Sequence, residues 1–373
     1  MRKVIIIGCG YAGVVAAWRL KAQRKHIEVV VFDRSKNFNF LPLLPDALGR
    51  QIPASALAYP IEKLSKAYGF NFINEEVISL DLENNQVLTV ARSLGYDYLL
   101  IASGSETNFY GNDLIKNNAY KLDDALDAEK IFNTLKQREF ASYLISGGGY
   151  TGIEVATNLR VFLNKSKKHD RVIIVERAPS ILGPLPEWMK KYVWENLKNL
   201  DIEVLTDTTI QKIEAGDVYL SSGAILKNSM LIWAAGVKTS GFLENLNVEK
   251  NPQGRIKVDQ YLRLKKNCFV IGDAAYFQYQ GNFLRMAVQF AIAEASVAVD
   301  NITRSINGEP LREFKPRDLG YIIPMANNKA CGIVLGKNTS GLISTCAHYL
   351  MSIYRSYGFQ NKIRIMKSLI KGG

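Results

Sequence analysis

Short unbroken apolar runs alternate along the chain with amphipathic stretches, and several of the runs end in glycine. Residues 3–8 read KVIIIG. A continuous β-branched run fits a strand buried on both faces, as in a parallel sheet, where a half-exposed strand would alternate. Residues 13–25 then space their apolar positions as a helix does, and residues 28–33, EVVVFD, form a second β-branched run closing on an acid. Strand, helix and strand in that order predict a βαβ unit with a parallel pair. Residues 38–60, rich in Pro, Leu and Asn, predict an irregular segment. Residues 71–90 alternate with period two around Asn84 and Asn85 and predict antiparallel strands. Residues 96–105, YDYLLIASGS, predict a buried strand running into a glycine turn.

The pattern then begins again. A helix is expected at 125–138, a strand at 143–146, a glycine turn at 147–149, a helix at 151–164 and a strand at 171–176 ending in Glu176. Strands follow at 203–205 and 218–220, and residues 230–237, MLIWAAGV, repeat the strand-to-glycine ending. The second half thus duplicates the architecture of the first with little residue identity. Residues 254–259, GRIKVD, and 268–273, CFVIGD, predict a further strand pair, followed by a helix from 284 to about 305. After Pro316 the chain becomes basic.

Two turns carry the candidate chemistry. In Gly8-Cys9-Gly10-Tyr11-Ala12-Gly13 the first glycine permits the tight turn. The second lets backbone approach a pyrophosphate, and the third lets helix pack on strand. The helix start at Tyr11 and Ala12 presents unpaired N–H groups and partial positive charge to an anion. Asp33, twenty residues past Gly13, stands where a carboxylate accepts from a ribose diol. Gly147-Gly148-Gly149-Tyr150-Thr151-Gly152 repeats the pattern, closed by Glu176. Glu176 favours a free 2′-hydroxyl, hence NAD(H), while Arg177 beside it could pair a 2′-phosphate. Two such turns in one chain point to a bound flavin dinucleotide fed by a nicotinamide dinucleotide, since a flavin stores a hydride and hands it on.

Composition narrows the class. The chain has 373 residues, 47% hydrophobic, enough for two or three packed domains, and no apolar run reaches the length of a spanning helix. The N-terminal run breaks into glycines too early for a signal peptide, so a cytoplasmic protein is expected. Cys9, Cys268, Cys331 and Cys346 show no CxxC pair, and His26, His169 and His348 are scattered, so neither a disulfide framework nor a metal site is expected. Net charge is +12, and residues 319–373 hold seven Lys and Arg with no Asp or Glu. That tail calls for an anionic partner.

The stretches FLPLLPDALGRQIPASALAYPI (40–61), YDYLLIASGSETNFYGNDL (96–114) and GGGYTGIEVATNL (147–159) carry a resemblance. So do WAAGVKTSGFLENL (233–246), GRIKVDQYLR (254–263) and CFVIGDAA (268–275). Together they resemble the type II NADH dehydrogenases (NADH:quinone oxidoreductases) of the two-dinucleotide-binding flavoprotein superfamily, over nearly the whole chain. The resemblance implies FAD held by Gly8, Gly10, Gly13 and Asp33, with Val77 meeting the adenine. It implies Pro42 and Leu43 by the flavin ring, Ala102 and Gly104 closing over it, and Asp273, after Gly272, on the ribityl chain. Gly147, Gly149, Gly152 and Glu176 would take NADH, with Ala235 and Gly236 near the nicotinamide. Glu154 would lie near the hydride path. The quinone-side motif of the family, Ala-Gln-x-Ala-x-Gln, meets Val288-Gln289-Phe290-Ala291-Ile292-Ala293 here. Gln289 can bond a quinone carbonyl, whereas the second glutamine is Ala293, followed by Glu294.

The expected architecture is α/β: two interleaved Rossmann-like dinucleotide-binding domains plus a C-terminal amphipathic helical membrane-anchoring segment. The FAD-binding domain is expected over 1–110 and 240–315, the NAD(H)-binding domain over 111–239, and the basic amphipathic region over 316–373. In that region Leu342, Cys346, Tyr349, Leu350, Ile353, Tyr354 and Tyr357 recur at helical intervals. Ile363, Ile365, Met366, Leu369 and Ile370 do so among lysines and arginine. A basic amphipathic helix with tyrosines suits an anionic membrane surface. It could also pack on the same protein or on a homodimer partner. The expected enzyme is peripheral on the cytoplasmic side of the membrane, without proton pumping. Its acceptor is a membrane quinone, menaquinone or ubiquinone, and nucleic acid is no partner. Rivals are a sulfide:quinone reductase, for which no cysteine lies between Cys9 and Cys268, and a soluble NAD(P)H-dependent reductase of a protein electron carrier. A flavin-free nucleotide sensor resting on membranes is the non-catalytic alternative. Cys331 is left as a candidate flavin-facing thiol.

Overall fold

The computed structural model describes residues 1–23 and 27–372; His26 and the expected helix end at Lys25 lie outside the described residues. The chain divides into two compact units, one of Met1–Phe38, Pro60–Glu106 and Val237–Asp318, the other of Asn39–Tyr59, Thr107–Gly236 and Leu319–Gly373.

In the first unit the apolar runs form one sheet. Arg2–Ile7 sits between Tyr98–Ile101 and Ile27–Phe32, parallel to both, with Asn71–Ile73 beyond. On the other flank Cys268–Val270 lies parallel to Tyr98–Ile101, and Arg263–Lys265 caps that edge antiparallel. Val4, Ile5, Ile6, Leu99, Leu100 and Ile101 are fully buried, as continuous apolar strands covered on both faces must be. A three-stranded antiparallel meander, Val77–Asp81, Gln86–Thr89 and Ser93–Gly95, turns as expected at Asn85, whose φ is +56°.

The second unit repeats the scheme with four parallel strands in the order Ile202–Leu205, Arg171–Val175, Ser142–Ser146, Ser229–Trp233. It has its own meander of Ile210–Glu214, Asp217–Leu220 and Ile225–Leu226. The architecture is therefore a duplicated Rossmann-like α/β fold with helices at the C-terminus.

Several expectations are corrected. Residues 254–259 and 268–273 do not pair with each other. Ile256–Lys257 pairs in parallel with Ala275–Tyr276, and Cys268–Val270 joins the main sheet because all three of its side chains need cover. The helix expected from 284 is Val288–Asn307, ended by Gly308 at φ +71°. Residues 38–60 hold short helical turns, among them Leu41–Leu43, Asp46–Gly49 and Ala54–Leu57. Residues 39–59, placed by the sequence with the FAD-binding part, fall in the second unit. Asp46–Gly49 lies flat on the Tyr150–Lys165 helix, where a Cβ on Gly49 would come 2.6 Å from the backbone oxygen of Asn158.

The basic tail is also more than a helix. It opens as an antiparallel sheet of Gly320–Met325, Lys329–Val334 and Lys337–Ser340, and Ile323, Met325 and Cys331 are buried in the core of the second unit. Two helices follow, Gly341–Arg355 and Phe359–Gly372. The first turns small hydroxyl residues inward: Ser344, Thr345, Ser352 and the ring of Tyr349 are buried. Leu342, Ile343, Cys346, Leu350, Met351 and Tyr354 face solvent. Tyr349 and Ile365, expected on the apolar outer stripes, are inside. Among the described residues no helix is long and apolar enough to cross a membrane.

Candidate functional site

The two glycine turns have the same construction. Gly8 adopts φ +97° and Gly147 φ +103°, a conformation that favours glycine. Each donates its N–H to the end of the next strand, Gly8 to Phe32 and Gly147 to Val175, both at 2.8 Å. A Cβ on Gly13 would collide with the carbonyl oxygen of Gly8, and one on Gly152 with that of Gly147. Helix and strand can therefore approach only with glycine at both places. Gly10 and Gly149 face open space instead, and no side chain caps the helix that starts at Tyr150. Such a start leaves N–H groups for an anion.

The acid closing each second strand is bound to its own turn. Asp33 accepts from the N–H groups of Cys9 and Ser35, both at 2.7 Å. Glu176 accepts from Gly148 at 2.6 Å and Ala178 at 2.7 Å. Each carboxylate thus braces the turn while its remaining lone pairs border a cleft. Burial raises Asp33 above the usual carboxylate range, and the two backbone donors and Arg34 oppose that.

In the first unit Gly8, Asp33 and Val77 line one cleft with Ser103 and Phe242. Ser103 Oγ, unnoticed in the sequence, is buried there without a hydrogen-bond partner in the protein. The carbonyl of Ala102 fills the place a Cβ on Gly8 would need, and Gly104 holds φ +69°. Gly272, at φ +67°, brings the second glycine-acid turn against the first, a Cβ there lying 3.4 Å from that of Ala12. Asp273 accepts from Ser105 Oγ at 2.8 Å and is raised by burial. The ring of Tyr11 packs edge-on to Phe38 at 5.0 Å. An open glycine cradle, a helix start and an orphaned buried hydroxyl fit a dinucleotide with its pyrophosphate at the turn.

Val288 and Gln289 begin the last helix of this unit. The amide of Gln289 donates to Asp318 at 3.0 Å, and Arg285 holds the same carboxylate at 2.8 Å. Glu294 is buried and takes the N–H of Gly272 at 2.5 Å. It braces the Gly272 turn. Burial pushes it up to about 8, Gly272 and Arg255 acting against that. The native state therefore binds a proton that an unfolded Glu, near 4.5, releases, so Glu294 costs stability as pH rises through that interval. Denaturant midpoints of the cofactor-free protein should fall between pH 5 and pH 8, and Glu294→Gln should flatten that decline. An equal slope in the variant would contradict the assignment.

In the second unit Gly147, Glu176, Arg177 and Ala235 line another cleft, walled by Phe109, Tyr110 and Trp233. The sequence reading missed this aromatic wall, although the residues stand in quoted motifs. Trp233 Nε1 donates to Asn108 O at 2.8 Å and Phe109 stacks on its ring at 6.1 Å. Tyr110 Oη donates to Ala235 O at 3.1 Å and occupies the space beside Gly236, whose φ is +152°. Tyr150 packs its ring on Tyr321 at 5.7 Å. An apolar wall opposite a glycine turn and a carboxylate fits a second dinucleotide. Glu154, in the first turns of the same helix, is half-buried and held well above the usual range by burial and by Asp46. Leu43 is fully buried and Pro42 half-buried in the Leu41–Leu43 turn.

The cysteines are free. Cys9, Cys268 and Cys331 are buried, only Cys346 is exposed, and burial pushes Cys331 up to about 12. An unreactive core thiol follows. Among the described residues no group of His, Cys, Asp or Glu is arranged to hold a metal.

The geometry has counterparts among known proteins. The chain is 27% identical to a demethylphylloquinone reductase NdbB of Synechocystis over 97% of its length and 94% of that protein. It is 26% identical to a type II NADH:quinone oxidoreductase of Staphylococcus aureus over 91% of each. The structure of NDH2 from Plasmodium falciparum in complex with NADH superposes with a TM-score of 0.83 at 19% identity, over 99% of this chain and 98% of that one, which shows a shared fold. Residues 2–301 match the model of the pyridine nucleotide-disulphide oxidoreductases. With both glycine turns, both closing acids and both parallel sheets inside that span, the chain belongs to the pyridine nucleotide-disulphide oxidoreductase family.

Proposed function

We propose that the chain is an FAD-dependent NADH:quinone oxidoreductase acting at a membrane surface without pumping protons. Family membership carries a capacity for FAD and NAD(H). The observation that carries the reading is the presence of two turns of one construction, each facing its own cleft, in a single chain. Bound FAD would supply a carrier that accepts a hydride from one substrate and returns two electrons to another. Gly8, Gly10, Gly13 and Asp33 hold its pyrophosphate and ribose, Val77 and Ser103 border the adenosine, and Ala102, Gly104, Gly272 and Asp273 continue the site toward the ring. Gly147, Gly149, Gly152 and Glu176 hold NADH, with Ala235 and Gly236 at the nicotinamide. Glu176 next to the ribose disfavours a 2′-phosphate, which makes NADH the preferred donor. Glu154 holds a proton near the hydride path, and Gln289 lies on the acceptor side.

The acceptor is a membrane quinone, menaquinone or ubiquinone, reached from the cytoplasmic face. The outward apolar face of Gly341–Arg355, with Leu342, Leu350 and Tyr354 exposed, supports this placing. Lys362, Arg364, Lys367 and Lys371 follow it and add attraction to anionic lipid. Replacing Leu342 and Leu350 by aspartate should weaken binding to phosphatidylglycerol vesicles about tenfold or more, with activity on a water-soluble quinone retained. Equal vesicle binding by the variant would show that this face does not contact the membrane. The function is tested by steady-state NADH oxidation with a short-chain quinone, compared with NADPH as donor and ferredoxin as acceptor. Faster turnover with NADH and quinone is expected. A salt-sensitive preference for the protein acceptor would favour the soluble reductase. Sulfide as the donor is opposed by the stretch from Cys9 to Cys268, which offers no cysteine for a redox pair beside the flavin.

A further inference from the structure

The short Asp46–Gly49 helix, packed on the helix that carries half-buried Glu154, buries a carboxyl of its own. Asp46 is 2% exposed and Arg50, four residues on, 3%. Tyr349, from the Gly341–Arg355 helix, donates its hydroxyl to Asp46 Oδ1 at 2.8 Å and receives Arg50 Nε at 2.7 Å. Arg50 Nε also stands 3.3 Å from Asp46 Oδ1, and Nη2 donates to Ala326 O at 3.1 Å and Asn328 Oδ1 at 2.7 Å. The titratable groups that act electrostatically on Asp46 or Arg50 are Glu154 and Lys165 of the Tyr150–Lys165 helix and His348 and Tyr349 of the tail helix, besides their mutual pairing.

We propose that Tyr349 is a positioning residue for the proton held by the Asp46–Glu154 carboxyl pair. Its hydroxyl fixes Asp46 as the charged partner of Arg50 and so sets the pH at which the pair gives up its proton. The inference rests on the proposed activity, whose balance is NADH + H⁺ + Q → NAD⁺ + QH₂: the hydride leaves C4 of NADH, two electrons reach the quinone, and one proton must come from outside the substrates. Two acidic groups that repel each other titrate as one coupled system, not as two independent sites. Burial pushes Asp46 up to about 6, with Arg50 and Tyr349 pulling it down, and Asp46 in turn raises Glu154. His348 is held neutral by burial and by Arg50, pulled down to about 4, so it adds no charge near pH 7. The helix proposed to rest on the membrane thus carries, on its inward face, the hydroxyl that orders this pair.

The test compares Tyr349→Phe, Asp46→Asn and, as a control on the same buried face, Ser352→Ala in the holoenzyme. Two readouts are taken: the pH profile of NADH:quinone turnover, and the protonated-carboxyl infrared band followed through a pH titration. Tyr349→Phe keeps the ring and removes one donor to a carboxylate, so the lower apparent pKa should rise by about one pH unit. Asp46→Asn, which removes the repelling charge, should move the remaining carboxyl titration down. Ser352→Ala should move neither. A Tyr349→Phe profile and band both like the wild type would overturn the proposal, as would an equal shift in Ser352→Ala. Should Tyr349→Phe not fold, an unmoved titration in Asp46→Asn would overturn it instead. A wild type that does not reduce quinone with NADH defeats the functional reading, while the infrared titration still decides the role of Tyr349.

Discussion

Gly152→Ala is expected to leave the protein yellow and to stop NADH from reducing it. The new Cβ would collide with the carbonyl oxygen of Gly147, so the Tyr150–Lys165 helix must back away from the turn. A displacement on the order of 1 Å at a binding turn costs about 100-fold in reactivity, and kcat/KM for NADH should fall by at least about that factor. Gly13→Ala makes the same collision in the first unit, against Gly8. It should give the opposite phenotype: protein purified without flavin, its second unit still binding NADH, as isothermal titration would show. The pair of variants assigns the two turns. If both lost flavin, or both kept full NADH reactivity, the assignment would be wrong.

Arg50→Ala should have the largest effect on stability. Arg50 pairs with Asp46 inside the second unit, and it also holds Tyr349, Asn328 and the Ala326 carbonyl. Its guanidinium lies 4.6 Å from the Tyr349 ring centre as well. Removing one member of a buried ion pair strands the other, at a cost of about 3–5 kcal/mol. Thermal unfolding at pH 8, where Asp46 is ionised, should show it as a lowered Tm. Adding Asp46→Asn should recover part of the loss, since the stranded charge is gone, and this non-additivity is the signature of the pair. Additive effects would place the loss in the other contacts of Arg50.

The sequence displays what local geometry demands. A turn at φ near +100° followed by a helix close to its strand leaves little besides glycine at Gly8, Gly13, Gly147 and Gly152, so the duplication can be read from letters alone. Asp33 and Glu176 are legible for the same reason, each ending a β-branched run at a fixed place. Features that depend on long-range pairing are harder to see. Ile256–Lys257 is too short to declare its partner, which proved to be Ala275–Tyr276. The sheet between Gly320 and Ser340 hid behind its charge, although it carried a signal: Leu335 and Gly336 both take positive φ and join two strands as a two-residue hairpin. The Asp46–Arg50–Tyr349 cluster joins residues about 300 positions apart, and no spacing rule reveals it. Helical periodicity found the tail helix but put Tyr349 on the outer stripe, because a ring with a hydroxyl reads as interfacial when its buried partners are unknown.

On the proposed function, one chain holds both a resident flavin dinucleotide and a site for its reductant. Anaerobic titration of the purified protein with NADH, followed at the flavin absorption band, tests it most directly. A yellow protein with one FAD per chain is expected, bleached by one equivalent of NADH and recovering its colour on addition of a short-chain quinone. A colourless protein, or a yellow one that NADH leaves unbleached, would contradict it.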